Sequence, residues 1–237
     1  MICRYWWAQQ DKENKMHWVS WEEMCRRKEE GGLGYRDLHL FNLAMLARQG
    51  WRILQNPDSL CAQLLRAKYG TNGSLLQTSE GPGISYTWRS IVRGLQALQK
   101  GLIWRIGDGM QINIWEDPWI SNGITRRPIT PRGHTILTWV ADLLHLDTGR
   151  WDEDLVRDVF WEEDVRYIFT TPTNPNHEDV LAWHFDNKGQ FSVKSAYHVL
   201  DDEKNREKTR QQGEGSSSAN SGNQRNAIWR KIWKLPC

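Results

Sequence analysis

The chain has 237 residues, enough for one large domain or two small ones. Hydrophobic residues make up 39% of it and charged residues 25%, and its net charge of +2 neither requires nor excludes a nucleic-acid partner, because local charge decides such binding. The four cysteines form no C-x-x-C pair, which argues against a disulfide framework or a self-contained zinc site: Cys3, Cys25, Cys61 and Cys237. No apolar run has membrane-spanning length, so we expect an intracellular protein, nuclear or cytoplasmic, without a membrane partner.

Helical patterns dominate the first hundred residues. Ser20, with Glu23 three residues later, predicts a short helix with a capping box. Residues 37–55 are apolar around most of a helical circumference, which predicts a buried helix that ends at the following Asn-Pro. Two further helices are predicted, over 58–69 and 87–99. We expect these side chains to face inward: Leu60, Leu64 and Ala67 in the first, and Trp88, Ile91, Leu95 and Leu98 in the second.

A β-hairpin is predicted at the centre of the chain. Residues 102–106 and 112–115 alternate apolar and other side chains on either side of Gly107-Asp108-Gly109. Glycine supplies the positive φ that tight turns require, and aspartate tolerates it. We therefore expect residues 102–106 to pair with residues 112–115.

Shorter elements follow this hairpin. Amphipathic patterns predict helices at 137–146, 151–159 and 161–169. A second hairpin is predicted from strands 180–185 and 190–193 around Asp186-Asn187-Lys188-Gly189, and a helix follows to residue 200.

The composition changes sharply at residue 201. Residues 201–226 contain almost no apolar side chain, which predicts a disordered linker. We therefore expect an N-terminal segment over 1–17, one domain over 18–200, the linker, and over 227–237 the start of a further module that is cut short. The predicted fold class is α+β, mainly helical, with two β-hairpins and a disordered linker near the C-terminus.

Two groups of residues were considered for enzyme chemistry or metal binding. Asp108, Glu116 and Asp117 suggest paired carboxylates, but turn formation and the following proline explain them more simply. His177-Glu178-Asp179 with His184 suggests metal ligands, but isolated surface histidines beside carboxylates are common. No local nucleophile signature such as G-x-S-x-G is present. These patterns predict no catalytic residue, no metal and no cofactor.

Basic residues that alternate with aromatic ones make a better argument for nucleic acid. Lysine and arginine contact phosphates, and exposed aromatic rings stack on bases. The candidate RNA- or DNA-binding residues are Arg48, Arg52, Arg66, Lys68, Arg89, Arg93, Lys100 and Arg105. The alternative is that each aromatic ring belongs to the core and each basic residue is a solvated neighbour, and the pattern alone favours that alternative.

Several long segments resemble a single family. They are HWVSWEEMCRRKEEGGLGYRDLHLFNLAMLARQGWRILQNPDSLCAQLLRAKY, SYTWRSIVRGLQALQKGLIWRIGDGMQINIWEDPWI, GQFSVKSAYHVL and IWRKIWKLP. In this order they resemble the region downstream of the polymerase domain in plant non-LTR (LINE-type) retrotransposon reverse transcriptases. The resemblance extends over most of residues 6–236.

The resemblance implies a position between two functional modules. In that family the polymerase aspartates lie upstream, and a zinc-binding module and often a ribonuclease H domain follow the segment that matches IWKLP. No Ala-Asp-Asp string occurs here, so we expect no enzyme: a retroelement fragment without polymerase aspartates or ribonuclease H, which helps to bind RNA or DNA. The alternatives are a scaffold module that docks on the polymerase domain of a retroelement protein, and an inactive degenerate gene product.

Overall fold

A computed structural model of the chain describes residues 19–69, 75–78, 83–123, 125–145 and 147–213. Its secondary structure is mainly helical with one two-stranded sheet, which confirms the predicted mainly helical α+β class. The helices are α1 (Trp21–Cys25), α2 (Leu38–Gln55), α3 (Leu60–Tyr69), α4 (Tyr86–Gln99), α5 (Glu153–Val159), α6 (Glu162–Thr170) and α7 (Val193–Gly213). The strands are β1 (Leu102–Arg105) and β2 (Val180–Trp183), and short 3-10 turns occupy Lys28–Glu30, Leu75–Gln77 and Val140–Leu143.

The contacts divide the described residues into two compact units. Unit 1 contains the described residues up to Met45 and from Tyr197 onward, and unit 2 is Leu46–Ala196. This division crosses the single domain predicted over 18–200. None of the described helices is long and apolar enough to cross a membrane.

The core of unit 2 lies between the segment that follows β1 and helices α5 and α6. Three tryptophans of the unit are almost completely buried: Trp88, Trp119 and Trp183. Trp119 stacks on Trp151 with ring centroids 5.8 Å apart, and its indole N–H donates to the Ile114 carbonyl at 2.9 Å. The buried cluster around it comprises Ile106, Ile112, Ile114, Trp119, Ile120, Val140, Leu143, Val156, Phe160, Val165 and Ile168.

The predicted central hairpin is wrong, although its first strand exists. β1 pairs antiparallel with β2, with Leu102 opposite Trp183 and Arg105 opposite Val180. Residues 112–115 form no strand. The amides of Gly107, Gly109 and Gln111 donate instead to the buried carboxylate of Asp179, at 2.7, 3.0 and 2.9 Å. Because a side chain from another part of the sequence takes up these donors, the turn does not lead into a returning strand.

The second predicted hairpin exists only in part. Its first strand is β2, and its turn is closed by the Gly189 amide, which donates to the Asp186 carbonyl at 2.9 Å. Residues 190–193 form no strand, because the Gln190 amide donates to the Asp186 carboxylate and Ser192 then caps α7 by accepting from the Ser195 amide. The sheet is therefore one long-range pair of strands rather than two local hairpins.

Helix α3 presents a different face to the core from the one predicted. Leu60 and Leu64 are 80% and 61% exposed and Ala67 is exposed, whereas Ala62 is fully buried. In α4 the prediction is confirmed for Trp88, Leu95 and Leu98, which are at most 2% exposed. The spacing of the leucines in α3 therefore does not mark a core face, since Ala62 is the fully buried residue of this helix.

The predicted linker is helical over its first half, since α7 continues to Gly213. Ion pairs within unit 1 hold this stretch, because it has almost no apolar side chain to bury. Lys204 Nζ lies 2.7 Å from Asp37 Oδ2, Lys208 Nζ lies 2.8 Å from Glu22 Oε1, and Arg27 pairs with Asp201 and Asp202. The remaining predictions, for residues 1–17, 214–226 and 227–237, lie outside the described residues.

Candidate nucleic-acid interface

Charge is unevenly distributed within unit 2. Residues 46–107 contain eight lysines and arginines and two acidic residues, Asp58 and Glu80, which gives this segment a charge of +6 while the whole chain carries +2. Residues 142–171, which include α5 and α6, contain nine acidic and three basic residues. The eight basic residues are the eight that sequence analysis named, and local concentration of charge of this kind decides phosphate binding.

Helix α4 displays three of these residues on one solvent face. Arg89, Arg93 and Lys100 are exposed, while Trp88, Val92, Leu95 and Leu98 are buried. Positions 89, 93, 96 and 100 recur at steps of four, three and four residues, which is one line on a helix of 3.6 residues per turn. With Gln96 as its neutral member, this line is the α4 stripe. It extends about 16 Å at 1.5 Å per residue.

The arginines of α2 lie on a different side of the helix pair. A β-carbon at Gly94 would come within 2.5 Å of the Leu46 carbonyl carbon, and one at Gly50 would come within 2.8 Å of Leu95 Cδ2, so α2 and α4 pack closely along these glycines. At 100° per residue, Arg48 and Arg52 lie roughly opposite the glycine face of α2. The same count places the α4 stripe about 100° to 160° from Gly94. Both pairs of arginines therefore point away from the contact between α2 and α4, each on the outer surface of its own helix.

Two further candidates lie on α3. Arg66 is half-buried and its Nε has no hydrogen-bond partner among the described atoms. Lys68 is exposed, and its Nζ lies 5.3 Å from the centre of the Tyr69 ring. Tyr69 in turn stacks on Trp88 of α4, with ring centroids 4.7 Å apart. Lys68 is thus placed beside α4, but not on its stripe.

Arg105 has a structural role as well as an exposed position. Its guanidinium donates to the Asn187 carbonyl at 2.9 Å and to the Lys188 carbonyl at 3.3 Å. These contacts hold the turn that follows β2 against β1. Of the eight predicted residues, Arg89, Arg93 and Lys100 thus lie together on one face. Arg105 instead holds the turn after β2.

Arg126, which no sequence pattern marks as functional, holds the C-terminal end of α4, where Lys100 lies. Its guanidinium is buried and donates to the carbonyls of Lys100 (2.8 Å), Gln99 (3.3 Å) and Leu102 (2.9 Å). The last carbonyls of a helix lack partners within the helix, and a cation there also complements the helix dipole. Burial lowers the Arg126 pKa from its usual value, and the positive charge of Arg127 adds to this effect. Nothing in its proline- and glycine-rich segment indicates this contact.

Two buried carboxylates anchor backbone segments that the sequence pattern does not mark. Asp164 is completely buried and accepts from the Thr130 amide at 2.7 Å, the Thr130 hydroxyl at 2.6 Å and the Ile129 amide at 2.9 Å. Asp179, 7% exposed, holds the turn after β1 as described above. Both sit in runs of acidic residues, so nothing in the sequence separates them from their solvated neighbours.

The residues considered for metal or acid–base chemistry do not form a site. Asp108 accepts from the Met110 amide and Asp117 from the Asn113 amide, so each closes its own turn. Burial raises the Asp117 pKa. The Asp179 carboxylate accepts hydrogen bonds from backbone amides of the turn after β1, so it does not act as a metal ligand together with His177. Within the described ranges, no group of three or more histidine, cysteine or carboxylate side chains could hold a metal ion.

Comparisons with known proteins identify two relatives in Arabidopsis thaliana. An uncharacterized mitochondrial protein is 41% identical over 129 residues, which are 54% of this chain and 84% of that protein. A second protein, provisionally named a ribonuclease H protein, is 34% identical over 206 residues, 82% of this chain and 32% of its own length. The chain thus spans about a third of that second relative. No family model matches the chain, and no solved structure matches it.

These relatives correct one expectation and refine another. The expectation that the protein is no enzyme and lacks ribonuclease H is wrong, because a relative aligned over 82% of the chain is named for that enzyme. The resemblance to plant retroelements is supported at a coarser level, as a plant transposon-related protein. The LINE-type reverse transcriptase region is a finer assignment than these two relatives support.

Proposed function

Since the chain belongs to the family of the uncharacterized Arabidopsis mitochondrial protein, we propose that it is the nucleic-acid-holding region of a plant LINE-type retroelement protein. In this proposal RNA or DNA lies along the α4 stripe, and Arg89, Arg93 and Lys100 contact phosphates of one strand. The acidic helices α5 and α6 repel the same backbone and so restrict how it lies on unit 2.

The observation that carries the proposal is the α4 stripe. Three cationic side chains share one exposed face of α4 and its C-terminal end, and the sequence of residues 81–107 contains no acidic residue. The length of the stripe, about 16 Å, corresponds to about five nucleotides of one strand at 3.4 Å each along a duplex axis. A basic line of this length can therefore contact several phosphates of one strand.

Two further observations agree with this role. A ribonuclease acts on nucleic acid, so a region shared with a relative of that name fits a part of the protein that holds substrate. The segments quoted above resemble LINE-type reverse transcriptases, whose template and target are RNA and DNA.

The test compares two double variants that remove equal charge at equal spacing. Arg89→Gln/Arg93→Gln changes the α4 stripe, and Arg48→Gln/Arg52→Gln changes the outer surface of α2. Binding of labelled RNA, DNA and RNA–DNA hybrid is measured by fluorescence anisotropy across a range of salt concentrations. We expect the α4 variant to weaken binding about tenfold at low salt and to reduce the slope of log affinity against log salt by about 1.4 to 1.8, since each phosphate contact contributes about 0.7 to 0.9.

The α2 variant gives the contrasting result. It should change the affinity less than threefold and the slope by less than about 0.5, because its side chains lie away from the proposed contact. Equal losses in the two variants would show attraction by overall charge rather than a defined face, and would contradict the proposal. Absence of binding at low salt by folded protein would contradict it outright.

The scaffold alternative is favoured by one observation, the exposed leucines of α3. A docking face should expose apolar side chains without basic residues around them. Lys68 lies one helical turn beyond Leu64 on the same side of α3, and unit 2 is basic throughout this segment. The surroundings of the leucines therefore favour the nucleic-acid proposal over docking on a polymerase domain.

A further inference from the structure

Tyr86 continues the α4 stripe beyond its first arginine. It is the first residue of α4 and precedes Arg89 by three positions. Positions 86, 89, 93, 96 and 100 recur at steps of three, four, three and four residues, so at 100° per residue they all lie within about 80° of the helix circumference. The line from Tyr86 to Lys100 is about 21 Å long at 1.5 Å per residue. An aromatic residue therefore stands at one end of the basic line.

The Tyr86 side chain is almost entirely open to solvent. Its exposed fraction is 84%, the highest of any aromatic side chain in the described ranges. Within those ranges its ring stacks on no other ring and its hydroxyl makes no hydrogen bond. Trp88, two residues later, is by contrast 1% exposed and stacks on Tyr69. Because packing does not use the Tyr86 ring, its surface is available to a ligand.

The surrounding charge separates Tyr86 from the exposed aromatic residues near α6. Trp161 and Tyr167 are 53% and 41% exposed, and they precede or belong to α6, whose first turn is acidic. Tyr86 lies instead in residues 81–107, whose sequence contains no acidic residue. Acidic surroundings repel a phosphate backbone, whereas basic surroundings attract it. Tyr86 thus combines an open ring with the charge that suits nucleic acid.

A further cation lies at the Tyr86 end of α4. The Tyr69 hydroxyl lies 3.2 Å from the hydroxyl oxygen of Ser85, the residue that caps α4. Lys68 Nζ lies 5.3 Å from the centre of the Tyr69 ring. These two contacts place Lys68 near the start of the helix, although not on the α4 stripe. A strand that leaves the stripe at this end therefore still meets a positive charge.

We infer that Tyr86 stacks on an unpaired base of the strand that the α4 stripe holds. Every base has a π face, so stacking on an aromatic side chain tolerates any base sequence. In a continuous duplex each base lies inside the stack, where a side chain does not reach its face.

This inference rests on the proposed function, because the α4 stripe supplies the phosphate contacts that hold the strand beside Tyr86. It names the class of substrate within that function. The ligand is a nucleic acid with unpaired bases at the Tyr86 end of the stripe, rather than a continuous duplex.

The test compares two single strands that carry equal numbers of phosphates. One is a strand of about ten nucleotides, within the range of lengths common for single-strand binding. The other has the same backbone but abasic residues throughout. Stacking of one base on an aromatic side chain strengthens binding severalfold to over a hundredfold, so we expect the strand with bases to bind about tenfold tighter in fluorescence anisotropy at low salt.

Variants assign this preference to the Tyr86 ring. Tyr86→Leu should bring the affinity ratio of the two strands close to one, whereas Tyr86→Phe retains the ring and should keep the ratio within about twofold. Tyr167→Leu makes the same change on α6, serves as the matched control, and should leave the ratio unaltered. The high exposure of Tyr86 means that Tyr86→Leu should still fold, which cooperative urea unfolding checks.

The salt dependence and a duplex probe separate stacking from phosphate contact. Each phosphate contact on a single strand contributes about 0.7 to the slope of log affinity against log salt. Tyr86→Leu should therefore leave that slope unchanged, whereas Arg89→Gln/Arg93→Gln lowers it. Tyr86→Leu should also bind a continuous duplex of the same sequence as tightly as the parent chain does.

The outcomes distinguish failure of this inference from failure of the proposed function. Salt-dependent binding with equal affinity for both single strands overturns the role of Tyr86 and leaves the α4 stripe standing. A preference for bases that survives Tyr86→Leu, or an equal loss of duplex binding in that variant, also overturns it. Absence of binding to either strand at low salt overturns the proposed function together with the inference that depends on it.

Discussion

The two units use aspartate in opposite ways. In unit 2, Asp164 and Asp179 are buried and accept hydrogen bonds from backbone amides and one hydroxyl, without a cationic partner among the described residues. In unit 1, Asp37 and Asp201 are partly exposed and pair with lysine and arginine. A buried carboxylate with three donors is costly to remove, whereas an exposed ion pair contributes little. The comparison predicts that the burial and the donors of a carboxylate, rather than its charge, determine how much it stabilises its unit.

The largest effect is expected at Asp164. Asp164→Ala leaves the Thr130 amide and hydroxyl and the Ile129 amide without their acceptor, and should lower the free energy of unfolding by about 3 kcal/mol. Urea unfolding followed by tryptophan fluorescence measures this loss. Glu163→Ala is the matched control, an exposed carboxylate on the same helix, and should cost less than about 0.5 kcal/mol. Similar losses in the two variants would contradict the comparison.

A somewhat smaller effect is expected at Asp179, which still has slight access to solvent. Asp179→Ala removes the acceptor of three amides in the turn after β1, with an expected loss of about 2 kcal/mol. Amide exchange should accelerate in both strands, because β2 begins at the next residue. The control is Glu178→Ala at the exposed neighbouring position. Unchanged exchange in β1 would mean that the carboxylate does not hold the strand pair.

Unit 1 should respond weakly to the loss of an ion pair. Lys204→Ala removes the partner of Asp37, and since the lysine side chain is 36% exposed, the loss should stay below about 1 kcal/mol. Amide exchange in α7 measures it locally. The difference from the parent chain should vanish in 1 M salt, where the Debye length is about 3 Å. A loss that is independent of salt would indicate packing of the lysine stem instead.

The smallest effect concerns acid stability and has opposite signs in the two units. Burial by itself would raise the Asp37 pKa, but the Lys204 hydrogen bond and the amides of Leu40 and His39 lower it below 3.8. Its contribution is therefore complete above pH 3.8 and is lost as the pH falls through the lowered value. In unit 2, burial raises the Asp117 pKa, so its protonated form contributes stability below pH 3.8 that is lost as the pH rises through the raised value.

Amide exchange measured between pH 5 and pH 3 tests this difference. Protection in α7 should decrease toward pH 3, and Asp37→Asn should flatten that decrease. Protection around Asp117 should show no such decrease, because the pKa of this carboxyl is raised rather than lowered. A parallel decrease in both regions would show that general acid unfolding dominates.

Local patterns predicted the helices well where one face carries the core. In α4 the inward positions of Trp88, Leu95 and Leu98 follow directly from the 3.6-residue period. The Ser20 cap of α1 is likewise confirmed by its 3.1 Å contact with the Glu23 amide. Helix α3 shows the limit of such patterns, since the same spacing in Leu60 and Leu64 marks an exposed face.

The sheet could not be predicted because its determinants are distant in sequence. Alternation on both sides of Gly107-Asp108-Gly109 is real, but Asp179, 70 residues beyond Gly109, takes up the amides of that turn. The interface was predicted only as a set of eight residues. The spacing of the basic residues along α4 predicts the α4 stripe. Which way Arg48 and Arg52 point relative to that stripe depends on the close packing of α2 and α4 at Gly50 and Gly94, and no local sequence pattern reveals this packing.

The pairing of β1 with β2 also has a consequence for synthesis of the chain on the ribosome. β1 ends at Arg105 and its partner is complete only at Trp183, 78 residues later. At about 5 to 20 residues per second, β1 waits roughly 4 to 16 seconds for its partner. Throughout that delay its edge groups and the turn amides that Asp179 will take up remain unpaired. During those seconds Leu102, Ile103 and Trp104 of a nascent chain lack the β2 residues that pair with them in the folded protein.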